Sequence, residues 1–258
     1  VLRRGTAKLP DLRAIGEALD ELYGARIESI VRKEGESLCI GFLSDCIDEA
    51  YAPDADRLAA KVIRLLADLL CDPYLQDGVF CPDYTAGERE GLIDRIAAQK
   101  NDPHSWAPKR LTELMCENEP YGQPALGTIE QARKITENKL YTAYRRALDE
   151  AQIELFYCGT LPPDAVEALF ASTPLVQRRD GPLYQPQTGI AAQPAGAPRV
   201  VIEEEQVTQG KLSLGFRTGG HCLTGGNPAA YWTVQTQYRR STSSNLFFKV
   251  RPRKSLCY

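Results

Sequence analysis

The chain has 258 residues, 43% of them hydrophobic and 25% charged, with a formal net charge of −3. That is a globular composition with room for one large or two ordinary domains, and it excludes a low-complexity chain; no apolar run approaches the roughly 20 residues of a membrane-spanning helix. The eight cysteines, at positions 39, 46, 71, 81, 116, 158, 222 and 257, include no Cys-x-x-Cys pair, so a zinc ribbon is excluded and reduced thiols in a cytoplasmic protein are expected.

Leu12, Ile15, Leu19 and Leu22 share one helical face between Pro10 and Gly24, predicting an amphipathic helix over residues 9–24. Residues 26–33 and 37–43 are two short β-rich runs around Glu34-Gly35-Glu36, the pattern of an antiparallel hairpin. Leu58, Val62, Leu65, Leu66 and Leu69 predict a second helix stopped before Asp72-Pro73, and Leu92, Ile93 and Ile96 a third over 86–100. A helix over 106–117, a Pro/Gly-rich loop over 119–127 and a helix capped by Thr136 follow. Residues 153–158 read as a strand and 162–170 as a short helix.

Residues 172–198, dense in Pro, Gly, Gln and Ala, read as a linker between a first domain (1–171) and the start of a second (199–258). In the second, 200–202 and 212–216 are expected as strands, Glu203-Glu204-Glu205 as a solvated strand end, and 229–237 and 245–251 as helices. No acidic residue follows Glu205, while Lys211, Arg217, Arg239, Arg240, Lys249, Arg251, Arg253 and Lys254 are basic. With an acidic chain overall and no nucleic-acid motif, such a surface suits carboxylate-bearing peptides or an acidic partner rather than nucleic acid. Neither His104 nor His221 has a second ligand at metal-binding spacing.

The last fifteen residues hold the candidate chemistry. Ser243 or Ser244 caps a helix bearing Leu246, Phe247 and Val250, which Pro252 stops just after Arg251; Tyr258 lies seven residues further on. A guanidinium offers forked donors to carbonyl or carboxylate oxygens, and a phenol can donate to a carbonyl oxygen gaining charge during hydrolysis. Taken alone, the pair reads more simply as a solvated Arg and a core Tyr.

The frame Ser244-x-Leu-Phe-x-x-Val-Arg-x-x-x-Ser-Leu-Cys-Tyr258 resembles the second-domain signature of the insulinase and processing-peptidase family, zinc peptidases with a His-x-x-Glu-His motif. Val1–Thr6 with Leu19–Ala25 resembles the family's first helix region. Glu119-Pro-Tyr-Gly-Gln-Pro-Ala-Leu-Gly127 resembles its Pro-Tyr-Gly segment, and Gln209–Thr218 the opening strand of its second domain. The likeness is greatest to bacterial members without the metal motif, although Arg239-Arg240 and Pro252-Arg253 depart from the family pattern around Arg251.

The resemblance implies an α+β fold of two related layered domains, each a largely antiparallel sheet covered by helices, the second incomplete in this chain. It implies that Arg251 and Tyr258 bind peptide substrate. It places the third metal-ligand position, a glutamate in catalytic relatives, at Arg95, and the other ligands before Val1. Val1 is not a start methionine, and a fragment of a longer protein is expected. The expected role is a non-catalytic, substrate-binding subunit with no metal of its own, paired with a catalytic zinc peptidase subunit. Two alternatives stay open: an active zinc endopeptidase whose motif precedes residue 1, and a structural or assembly subunit without a role in proteolysis.

Overall fold

The computed structural model describes residues 1–52, 57–177 and 196–217. They fall into two units, one of residues 1–106 and 123–177, the other of 107–122 and 196–217.

The first unit is built on three apolar elements. Helix α1 (Leu12–Glu21) starts where the Asp11 carboxylate accepts the Ala14 N–H at 2.8 Å, and ends where Gly24, at φ +70°, returns its N–H to the Leu19 carbonyl. Strands β1 (Arg26–Glu34) and β2 (Ser37–Asp45) pair antiparallel from Arg26↔Asp45 to Glu34↔Ser37, with Gly35 at φ +60° in the turn. Helix α2 (Leu58–Cys71) is apolar on most of its surface and buries Leu58, Val62, Ile63, Leu65, Ala67 and Leu69. Ile15 and Leu22 of the α1 region, Ala25, and Ile27 of β1 join Leu58, Val62, Leu65 and Leu69 in one core. Burying each such side chain is worth about 1.5–3 kcal/mol, so this core fixes where the polar helices lie.

A second hairpin, β3 (Leu75–Gln76) and β4 (Val79–Phe80), turns through Asp77 and Gly78, both at positive φ. The Asp-Gly pair is the local signal for this turn, yet the apolar runs around it are too short to register as strands. Phe80 is 2% exposed and meets Tyr141 and Tyr144 edge-on, both from α6 (Glu137–Glu150), which Thr136 caps as expected. The Tyr144 hydroxyl donates to the Leu70 carbonyl at 2.8 Å, and burial pushes its pKa up, so it stays a donor.

Helices α3 (Pro82–Ala98) and α4 (Pro103–Met115) begin three to four residues before the expected starts, each with proline in its first position, where the missing N–H costs nothing. Helix α5 (Ile129–Arg133), missed in the sequence, is one short turn closed by a Thr128/Gln131 capping box. Helix α7 (Pro163–Ala171) lies where a helix was expected.

The architecture is α+β. Three expected strands are corrected: residues 153–158, 200–202 and 212–216 carry no regular structure. Phe156, Val200, Ile202, Leu212 and Phe216 are more than four-fifths exposed. A strand exists only when a neighbour takes its backbone hydrogen bonds, and none of these segments has such a neighbour among the described residues.

Leu69, in the last turn of α2, is 1% exposed. Leu69→Ala is expected to lower the unfolding free energy by about 2–5 kcal/mol, measured by urea denaturation, whereas Leu12→Ala, at a 48% exposed position, is expected to cost well under ~1 kcal/mol.

Candidate functional site

Helix α3 carries the site position that the sequence singled out. Its residues have low amphipathicity because charged groups alternate with Gly87 and Gly91, and Thr85 is its buried anchor. Glu88 and Arg95 stand seven residues apart, two turns, and therefore on one face. Asp94, next to Arg95, points about 100° away.

Glu88 is engaged. Its Oε1 accepts the Arg4 Nε–H at 2.7 Å, an ion pair between groups about one-third exposed. Burial alone would raise the Glu88 pKa, but the Arg4 hydrogen bond and the positive field of the Val1 ammonium, Arg4 and Arg95 outweigh it and hold the carboxyl below its ordinary value. Arg95 is exposed and donates its Nε–H to the Gly91 carbonyl at 3.2 Å, which lays its head back over the preceding turn.

A divalent metal does not fit this surface. The carboxylate on the same helix face as the expected ligand position is already bonded to one guanidinium, and the position itself supplies a second, adding repulsion where an oxygen donor is needed. Among the described residues no three His, Cys, Asp or Glu side chains converge on a point. His104 follows Asp102, whose carboxylate accepts its backbone N–H at 3.0 Å, as in a helix start. Arg251, Tyr258 and His221 lie outside the described residues.

The Pro-Tyr-Gly segment has a structural role in the second unit. Glu119, 6% exposed, accepts the Arg217 Nη1–H at 2.7 Å, and the same guanidinium donates to the Met115 carbonyl and toward Cys116 Sγ. A Cβ on Gly122 would come within 2.0 Å of the Cys116 carbonyl oxygen, so glycine is required there for close backbone approach. Arg110 bridges Glu113 and Glu203, and Arg199 pairs with Glu117. Thus the chain from 199 to 217 is fastened to α4 and the turn after it by three ion pairs. Glu203, expected to be solvated, is one of their members.

A separate groove of about 790 Å³ in the first unit is lined by Leu155, Tyr157, Leu161, Val166 and Phe170, with Glu167 as its one carboxylate. It offers apolar surface but no acid–base pair.

The family resemblance singled out Arg95; sequence reasoning missed Arg4, Glu88 and Glu119 as partners. Their pairings join residues 84 and 98 positions apart, and such contacts leave no local spacing to read.

No protein-family profile matches the chain. It is 31% identical over all 258 residues to the probable inactive metalloprotease YmfF of Bacillus subtilis, covering 60% of that protein. It is 25% identical over 200 residues, 76% of the chain, to an uncharacterized zinc protease of Mycobacterium tuberculosis, covering 44% of it. Among solved structures, a conserved protein from Enterococcus faecalis aligns over 73% of the chain and 45% of its own, with a TM-score of 0.65 and 22% identity. A peptidase M16 inactive domain from Pseudomonas fluorescens aligns over 71% and 40%, with a TM-score of 0.51 and 19% identity. The chain thus spans between about two-fifths and three-fifths of the proteins it matches.

The depressed Glu88 pKa makes the Arg4 pair stabilising only while Glu88 is ionised: present above its ordinary value of 4.5, lost as pH falls through the lower folded value. Arg4→Ala is therefore expected to cost about 0.5 kcal/mol at pH 7, discounted for partial exposure, and to match the parent chain once the pH lies below the folded value. Urea melts of both chains across this range check it.

Proposed function

Because the chain belongs to the insulinase-like family of zinc metallopeptidases, we propose that it is a non-catalytic, substrate-holding part of a zinc peptidase pair. The observation that carries this reading is the cation at Arg95, beside a Glu88 already neutralised by Arg4. The Bacillus relative described as inactive and the Pseudomonas inactive domain support it. The same position counts against the reading as an active zinc endopeptidase.

In this reading zinc, activated water and general base belong to a catalytic subunit of the same family, and this chain supplies surface. Arg251 anchors the peptide through its forked donors, and Tyr258 donates to the oxygen that gains charge at the scissile carbonyl. Both assignments rest on the resemblance of their sequence frame. No described helix is long and apolar enough to cross a membrane, and we place the pair in the cytoplasm.

The test is hydrolysis of a fluorogenic peptide by the full-length protein, alone and mixed with a His-x-x-Glu-His relative from the same source. Activity is expected only in the mixture. Tyr258→Phe should lower kcat by the equivalent of about 2–4 kcal/mol with little change in KM, and Arg251→Ala should chiefly raise KM. Mixture activity unchanged by both variants would remove them from the mechanism and leave an assembly role.

A further inference from the structure

The ion pairs that fasten residues 199–217 to α4 and the turn after it are graded along the segment. Arg199 and Glu117 are both more than half exposed, Arg110 and Glu203 about one-third, while Arg217 is 28% exposed and Glu119 6%. Salt screens exposed pairs strongly and buried pairs much less, so the outer two are the labile ones. The inner pair is also the better tied, because the Arg217 guanidinium donates to the Met115 carbonyl and toward Cys116 Sγ as well as to Glu119. Beside it, a Cβ on Gly215 would overlap Met115 Sδ and come within 3.2 Å of Leu111 Cδ2, so the backbone lies directly on those side chains. Of the other charges, Lys109 and Glu113 pair within α4, and Lys211 donates to Gln209 within the segment.

We propose that residues 199–217 are a hinged strap, fixed at its Arg217 end and able to lift from its Arg199 and Glu203 end. Closed, the strap lies along the charged side of α4, where its own arginine and glutamate meet Glu117 and Arg110. Lifted, it frees Arg110 and Glu117, while the hinge keeps Leu111, Met115 and Cys116 covered. The segment carries no regular structure, so no strand or helix has to break when the outer pairs part. The strap lies wholly within the second unit and rests on none of the roles proposed for Arg251 and Tyr258.

The test uses the full-length protein, ¹⁵N-labelled on arginine. The Arg110 Nε–Hε resonance reports the outer clasp, since that N–H donates to Glu203 at 2.7 Å. The rate at which iodoacetamide alkylates Cys116, read by peptide mass spectrometry, reports the hinge. Raising sodium chloride to about 1 M, where the screening length is about 3 Å, is expected to move the Arg110 resonance toward its position in the Glu203→Gln chain and to leave the Cys116 rate nearly constant. Arg217→Gln is expected to raise that rate about tenfold, in line with the loss of a charged hydrogen bond. Glu119→Gln combined with Arg217→Gln, which leaves no buried charge unpaired, should do the same, with the buried Cys81 of the first unit still slow to react. The strap is overturned if salt raises the Cys116 rate in step with the Arg110 shift, or if Arg110 responds to neither salt nor Glu203→Gln. A Cys116 rate unchanged by both Arg217 variants would equally remove the hinge.

Discussion

Arg95 of α3, and Arg4 bonded to Glu88 of the same helix, govern what this surface can do. Had position 95 been acidic, it would have stood two turns from Glu88 as a second oxygen donor facing the same way. With Arg95 there, and with Arg4 bonded to Glu88 at 2.7 Å, the face opposes a divalent cation. The apolar core lies beneath this choice. Leu58, Val62, Leu65 and Leu69 of α2, packed on Ile15, Leu22 and Ile27, set the scaffold whatever charges the outer helices carry, so a metallopeptidase fold can persist while its surface chemistry inverts.

The second unit shows the same separation of fold from chemistry. Its Pro-Tyr-Gly segment reads in the sequence as a family marker, and the structure gives the marker a physical cause. Gly122 is required by the Cys116 carbonyl beside it, and the buried Glu119 is neutralised by Arg217. Leaving either charge of such a pair without the other would cost far more than the pair itself gains. With Arg110–Glu203 and Arg199–Glu117, the contact organises residues 199–217 without regular secondary structure.

What the sequence made legible was local. The 3.6-residue spacing of Ile15, Leu19 and Leu22, the period-two hairpin around Gly35, and the leucines of α2 each encode their own element. Position 95 was reached through the resemblance, laid onto a helix that its own periodicity predicts. The pairs Arg4–Glu88 and Glu119–Arg217 were not, since polar partners 84 and 98 residues apart carry no periodic signature. The segments 153–158 and 200–202 misled for a related reason: β-branched and aromatic residues favour a strand, but the partner that completes one is not written in the segment itself.

The most direct test of this account is the zinc content of the full-length protein after equilibration with zinc and removal of loosely bound metal. The account predicts far less than one zinc per chain, with peptide hydrolysis arising only beside a metal-bearing subunit. One tightly held zinc per chain, accompanied by hydrolysis from the protein alone, would contradict it and make Arg95 a bystander to a metal centre.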